Sequence, residues 1–182
     1  CQQRYLIGGS WGSIVSAVYA ENYPEVFHKI ILGSFGTKPN SVLKSIISQV
    51  QVYIEEGRGA EIAPMMIEKF GQYIPDTLKK QILAQFNSMS DQQFRSFYEH
   101  SVFVTQLGDL KEHMNLQLIR VPTLVVMGQF DTRKSTQLIP LGRFELIKGV
   151  GHFLHWEQPS ILPVYESFFT ECSKQAENLN LA

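Results

Sequence analysis

The chain has 182 residues, a formal net charge of −1 and 44% hydrophobic residues, enough for a sizeable core in a single domain. It has no basic stripe of the kind nucleic acid binds, no apolar run near the ~20 residues of a membrane span, and no segment that reads as a secretory signal. Its two cysteines, Cys1 and Cys172, lie at opposite ends and fit no metal-ligand spacing, so a reducing, cytoplasmic setting is expected.

Taken in chain order, Arg4 to Ile7 is a short apolar run that predicts a strand, and Ser13 to Asn22 predicts a helix ended by Tyr23-Pro24. Between them stands Gly8-Gly9-Ser10-Trp11-Gly12, a G-x-S-x-G pentapeptide. A strand that turns directly into a helix needs small residues around the turn, and this one has three glycines. Such a turn raises a serine hydroxyl at the end of the sheet as a nucleophile, with the amide of the next residue, Trp11, as an oxyanion donor.

Val26 to Leu32 contains the next predicted strand, closing at Gly33-Ser34-Phe35-Gly36. No convincing strand follows until Thr123. This is far too long for a simple crossover, so residues 37–118 are expected to form a helical cap inserted into a core made of 1–36 and 119–182. Four apolar stripes at helical spacing support this. Val42, Ile46, Ile47, Val50 and Ile54 end at Gly57 and Gly59, and Ile62 to Phe70 ends at Gly71. Leu78 to Phe86 opens after Pro75-Asp76, and Phe94 to Val102 opens after Ser90-Asp91. Most of these side chains belong to the cap's own core. Met65, Met66, Phe94 and Phe97 are the candidates for an apolar substrate channel over the serine.

Val121 to Gly128 reads as a buried parallel strand, with Asp131 three residues beyond its glycine. Arg143 to Ile147 reads as the last strand and runs into the loop Lys148-Gly149-Val150-Gly151-His152-Phe153, ahead of a helix predicted over Glu157 to Thr170. Ser10, Asp131 and His152 therefore follow one another in the order serine, acid, histidine, each at the end of a predicted strand. That order suits a triad in which His152 takes the Ser10 proton and Asp131 holds the imidazole. The nearest rival base, His155, is expected to pack or cap. His28, His100 and His113 are read as structural.

These features resemble the α/β-hydrolase superfamily. The resemblance implies strands five to eight of its parallel sheet with an inserted helical cap. Nine residues cannot hold the four strands that precede the serine in that fold, so the chain is expected to be its C-terminal part. The missing N-terminal half would come from a second chain, or the free edge would be covered in a strand-exchanged oligomer. The elbow Gly8 to Ser13 is similar to that of proline iminopeptidases.

A longer similarity links the chain to bacterial 3-hydroxyacyl transferases of rhamnolipid-precursor synthesis and to 3-hydroxyacyl carrier-protein transacylases. It rests on Ser10-Trp11-Gly12, Gly33-Ser34-Phe35, Gly71-Gln72-Tyr73-Ile74-Pro75 with Leu78-Lys79, the Phe94-Arg95 to His100 helix, Gly128-Gln129-Phe130-Asp131, and Gly151-His152-Phe153-Leu154. This resemblance implies an acyl-enzyme route on medium-chain acyl esters or thioesters, with a small-molecule acyl substrate and an acyl carrier as candidate partners and no cofactor or metal. The alternatives are an iminopeptidase-like amide hydrolase and a catalytically silent binding module.

Overall fold

The computed structural model describes residues 3–39, 41–131 and 139–171, except for the side chains of residues 91, 97, 101 and 104. The four expected strands are present: β1 (Tyr5–Gly9), β2 (Lys29–Gly33), β3 (Thr123–Gly128) and β4 (Gly142–Ile147). They form one parallel sheet in the order β1-β2-β3-β4, with Ile7 beside Ile31, Leu32 beside Val125, and Val125 beside Phe144. The two inner strands are buried at every position, which explains their unbroken apolar sequences: both faces are covered.

Side-chain alternation divides the core in two. Ile30 and Leu32 of β2 and Val125 and Met127 of β3 point to one face, where they meet Ala17 and Ala20 of α1 (Trp11–Asn22). The buried stripe of α1 is Ser13, Ser16, Ala17 and Ala20, small residues that let the helix lie close against the sheet. Ile31, Leu124 and Val126 point to the opposite face and pack on Leu154, Ile161, Tyr165 and Phe168.

Between β2 and β3 the chain forms α2 (Ser41–Glu55), α3 (Ile62–Phe70), α4 (Asp76–Asn87) and α5 (Asp91–Gln106), matching the four stripes read from the sequence. Ser90 opens α5 with a capping box: its hydroxyl accepts from the Gln93 amide and the Gln93 side chain accepts from the Ser90 amide. Ile46, Val50, Ile62 and Met65 form a core for these helices, with Phe70, Phe94 and Tyr98 packed on it. The insertion is narrow where it joins the sheet. The Leu110 amide donates to the Thr37 carbonyl at 2.8 Å, and Lys38 pairs with Asp109 at 3.0 Å. Leu110, Met114 and Leu116 then pack in the same core cluster as Ile30, Leu32 and Val125 of the sheet.

The last expected helix is not continuous. It is divided into α6 (Leu154–Glu157), a 3-10 turn over Pro159–Ile161, and α7 (Leu162–Thr170), because Pro159 has no amide hydrogen and its ring clashes with a preceding helical turn. A buried cation closes α7. Lys29 Nζ donates to the carbonyls of Phe168 at 2.6 Å, Phe169 at 3.2 Å and Glu171 at 2.5 Å, satisfying the helix end where its dipole is negative.

Candidate active site

Ser10 joins β1 to α1 with φ 52° and ψ −115°, a backbone conformation that is costly for a residue with a Cβ. Its amide donates to the Gly33 carbonyl at 2.8 Å, which ties the turn to the end of β2. As the first residue of α1, Trp11 has an amide with no carbonyl one turn earlier to accept from it, and that amide lies at the positive end of the helix.

The structure brings Ser10, His152 and Asp131 together. His152 Nε2 is 2.9 Å from Ser10 Oγ, and His152 Nδ1 is 2.9 Å from Asp131 Oδ2. A carboxylate only accepts, so Nδ1 carries the proton and Nε2 is left to accept from the serine hydroxyl. The histidine and aspartate side chains are 8% and 3% exposed, so their attraction is little screened by water.

Five hydrogen bonds and one close backbone contact hold the loops that carry these groups. Asp131 follows a turn in which its amide donates to the Gly128 carbonyl at 3.1 Å, and the next amide back, Phe130, donates to Val150 at 2.9 Å. Gly128 sits directly against the Gly151 carbonyl, where an added Cβ would overlap backbone oxygen. On the other side, Ser34 Oγ donates to the His152 carbonyl at 2.7 Å, and the Glu157 carboxylate accepts from the amides of Gly151 and Phe153. Ser34 and Glu157 are absent from the sequence-based site; Ser34, which takes φ 49° just after β2, stood in the sequence only as part of the run Gly33-Ser34-Phe35-Gly36.

An apolar cavity of roughly 330 Å³ opens over the serine. Its wall includes Leu43 and Ile47 from α2, Met66 and Phe70 from α3, Phe86 from α4 and Trp156 from α6. Phe70 also lies over the His152 ring at a centroid distance of 5.1 Å. Of the four channel residues expected, Met66 lines this cavity. Met65 and Phe94 instead belong to the helical core, Met65 buried in it and Phe94 packed against it with its ring 6.2 Å from that of Phe86. The Phe97 side chain lies outside the described residues.

His100 was read as structural, yet it lines the cavity, with Nδ1 held 2.6 Å from the Ser96 carbonyl. His155 packs edge-on against Tyr165 at 5.3 Å, and burial pushes its pKa down. His28 accepts from the Arg4 amide, and His113 Nε2 lies 3.0 Å from the Leu107 carbonyl. Among the described residues no group of three or more His, Cys, Asp or Glu could hold a metal ion, and no helix is long and apolar enough to cross a membrane.

No family model matches the sequence, and no curated protein matches it. Comparison with solved structures is more informative. The chain is similar to MenH from S. aureus at 20% identity and a TM-score of 0.72, over 92% of this chain and 68% of that one. It is similar to MGS-M2, an alpha/beta hydrolase enzyme from a Medee basin deep-sea metagenome library, at 18% identity and a TM-score of 0.68, over 95% and 68% of the two chains. The enol-lactonase from Burkholderia xenovorans LB400 matches at 15% identity and a TM-score of 0.72, over 93% and 66%. The chain thus spans about two thirds of the length of these structures. At such identities the likeness speaks for architecture: this chain carries the α/β-hydrolase fold from the serine turn through the histidine loop.

Proposed function

We propose that Ser10, His152 and Asp131 are the nucleophile, base and orienting acid of an acyl-enzyme mechanism acting on medium-chain acyl esters or thioesters. The observation that supports it most is the unbroken hydrogen-bond chain from Asp131 through His152 to Ser10, ending in an apolar cavity. Ser10 Oγ attacks the carbonyl carbon as its proton passes to His152 Nε2. The carbonyl π electrons move onto oxygen, which faces the Trp11 amide and the positive end of α1. Collapse expels the alkoxide or thiolate, which takes the proton from Nε2. A water or an acceptor alcohol then gives its proton to Nε2 and attacks the acyl-enzyme, and Nε2 returns that proton to Ser10 Oγ as the acyl group leaves.

Chain-length preference follows from the cavity wall. Each methylene buried is worth about 0.8 kcal/mol, about fourfold in kcat/KM if fully expressed in the transition state. Among the described residues the wall carries no carboxylate, so the ammonium of an aminoacyl amide has no partner there, which favours the ester or thioester reading over the iminopeptidase-like one.

The test is a fluorophosphonate probe combined with a substrate panel on the full-length protein. Labelling is expected at Ser10 and lost in Ser10→Ala, with octanoyl esters turned over far faster than proline amides. Turnover by Ser10→Ala within tenfold of wild type refutes the assignment, since such a loss costs on the order of 10⁶-fold. A preference for the amide supports the iminopeptidase-like alternative. No labelling of the wild type supports the silent module.

A further inference from the structure

We infer that Glu157 is a positioning residue for His152, clamping the backbone of the histidine loop at the residues before and after it; this rests on the proposed role of His152 as base. One oxygen of the Glu157 carboxylate, Oε2, accepts from the amide of Gly151, and the other, Oε1, accepts from the amide of Phe153 at 3.0 Å. These amides belong to the residues on either side of His152. The third tie in this segment, from Ser34 Oγ to the His152 carbonyl at 2.7 Å, fixes the peptide between them. With the backbone held at residues 151, 152 and 153, only the side-chain torsions of His152 remain to be set. Asp131 on Nδ1 and the Phe70 ring over the imidazole set those.

The chemistry of the clamp calls for a carboxylate. Two backbone amides converge on one side chain, and a carboxylate offers an acceptor oxygen to each, with charge-assisted bonds stronger than neutral ones. Glutamine offers one oxygen and turns an NH₂ toward the second amide. The clamp also closes tightly on Gly151: a Cβ there would lie 3.1 and 3.2 Å from the two carboxylate oxygens, closer than carbon and oxygen ordinarily pack. The loop needs such support because it leaves β4 at Ile147 and turns through Gly149 at φ 73° before reaching His152. A loose base loses alignment with a serine hydroxyl 2.9 Å away, and misplacement by about 1 Å is enough to cost ~10²-fold in rate.

The test measures kcat and KM on an octanoyl ester in the full-length protein for Glu157→Gln and Glu157→Asp, with Ser10→Ala as reference and circular dichroism to register folding. Glu157→Gln is expected to lower kcat by about 10- to 10²-fold with KM little changed, because Glu157 is not itself among the residues lining the cavity while the base is loosened. Glu157→Asp, which keeps the charge but reaches one amide, is expected to fall between wild type and Glu157→Gln. If Glu157→Gln does not fold, Glu157→Asp decides, with a kcat loss of about tenfold expected. A kcat within twofold of wild type in the folded variant, or a loss confined to KM, overturns the inference. Persistent turnover by Ser10→Ala instead overturns the functional reading beneath it, so the two failures are distinguishable.

Discussion

Replacing Gly128 by alanine tests whether the site depends on the contact between its two loops. Gly128 ends β3, and the added Cβ overlaps the carbonyl oxygens of Gly151 and Val150, both backbone atoms that no rotamer change can move. Restoring ordinary van der Waals contact requires the Asp131 loop and the His152 loop to separate by more than about 1 Å. The Asp131–His152 bond, now 2.9 Å, spans that same gap. Overpacking of this kind costs about 1–3 kcal/mol of stability, and a 1 Å displacement of catalytic groups costs ~10²-fold in rate. Gly128→Ala is therefore expected to lower kcat on an octanoyl ester by about 10²-fold while the protein remains folded, which melting and steady-state kinetics read together. Gly59→Ala, where an added Cβ meets nothing within 4 Å, serves as the control. A Gly128→Ala protein with kcat within twofold of wild type would show that the loops do not set the geometry.

Lys29→Met removes the cation that satisfies three carbonyls at the end of α7 and is expected to cost about 3 kcal/mol, lowering Tm by roughly 6–12 °C in thermal melting; a change below about 2 °C refutes it. Burial pushes the Asp109 carboxyl up, but Lys38 and the Lys111 amide outweigh it and hold the group below its ordinary value of 3.8. Its contribution is thus full above that value and lost as pH falls through the lower folded value, so acid unfolding should begin at higher pH in Asp109→Asn. Phe86→Ala enlarges the cavity and is expected to shift the acyl-length optimum toward longer chains, read from kcat/KM across an ester series. The chain of residues 1–182 is expected to self-associate in size-exclusion chromatography with light scattering, and a monomeric mass refutes this. In the described structure β1 pairs on one side only, and Ile7, Val15, Tyr19 and Tyr23 are exposed beside it.

The strands, and the placing of Ser10, Asp131 and His152 at their ends, were legible because they depend on local chemistry. Continuous apolar runs such as Thr123 to Gly128 need both sheet faces covered, and the glycines around Ser10 answer a steric demand of one turn. The helices of the insertion were legible for the same reason, through their stripes and their end signals. Which side of a stripe faces the serine was not. Met65 and Met66 are neighbours about 100° apart on one helix, and only the placement of α2 against α3 decides that the first is core and the second cavity wall. His100 was passed over because its surroundings come from helices distant in sequence. Ser34 acts on a residue 118 positions away, a partnership no spacing rule reveals. The break at Pro159 was visible in principle, but the apolar pattern on either side of it masked the interruption.

The narrow join between the insertion and the sheet bears on how the molecule folds. β2 and β3 are neighbours, yet Leu32 and its partner Val125 are separated by ~90 residues, and closing so long a loop costs about 4 kcal/mol of chain entropy before any pairing is gained. The contacts of Thr37 with Leu110 and Lys38 with Asp109 bring the two ends of the helical unit together. Once those helices are packed, the loop left to close is only ~20 residues, which lowers the entropic cost by about 1.4 kcal/mol and speeds strand pairing roughly tenfold if fully expressed in the barrier. The helices that shelter the serine thereby also act as a folding splint, delivering β3 to the edge of β2, and a destabilised insertion slows formation of the sheet itself.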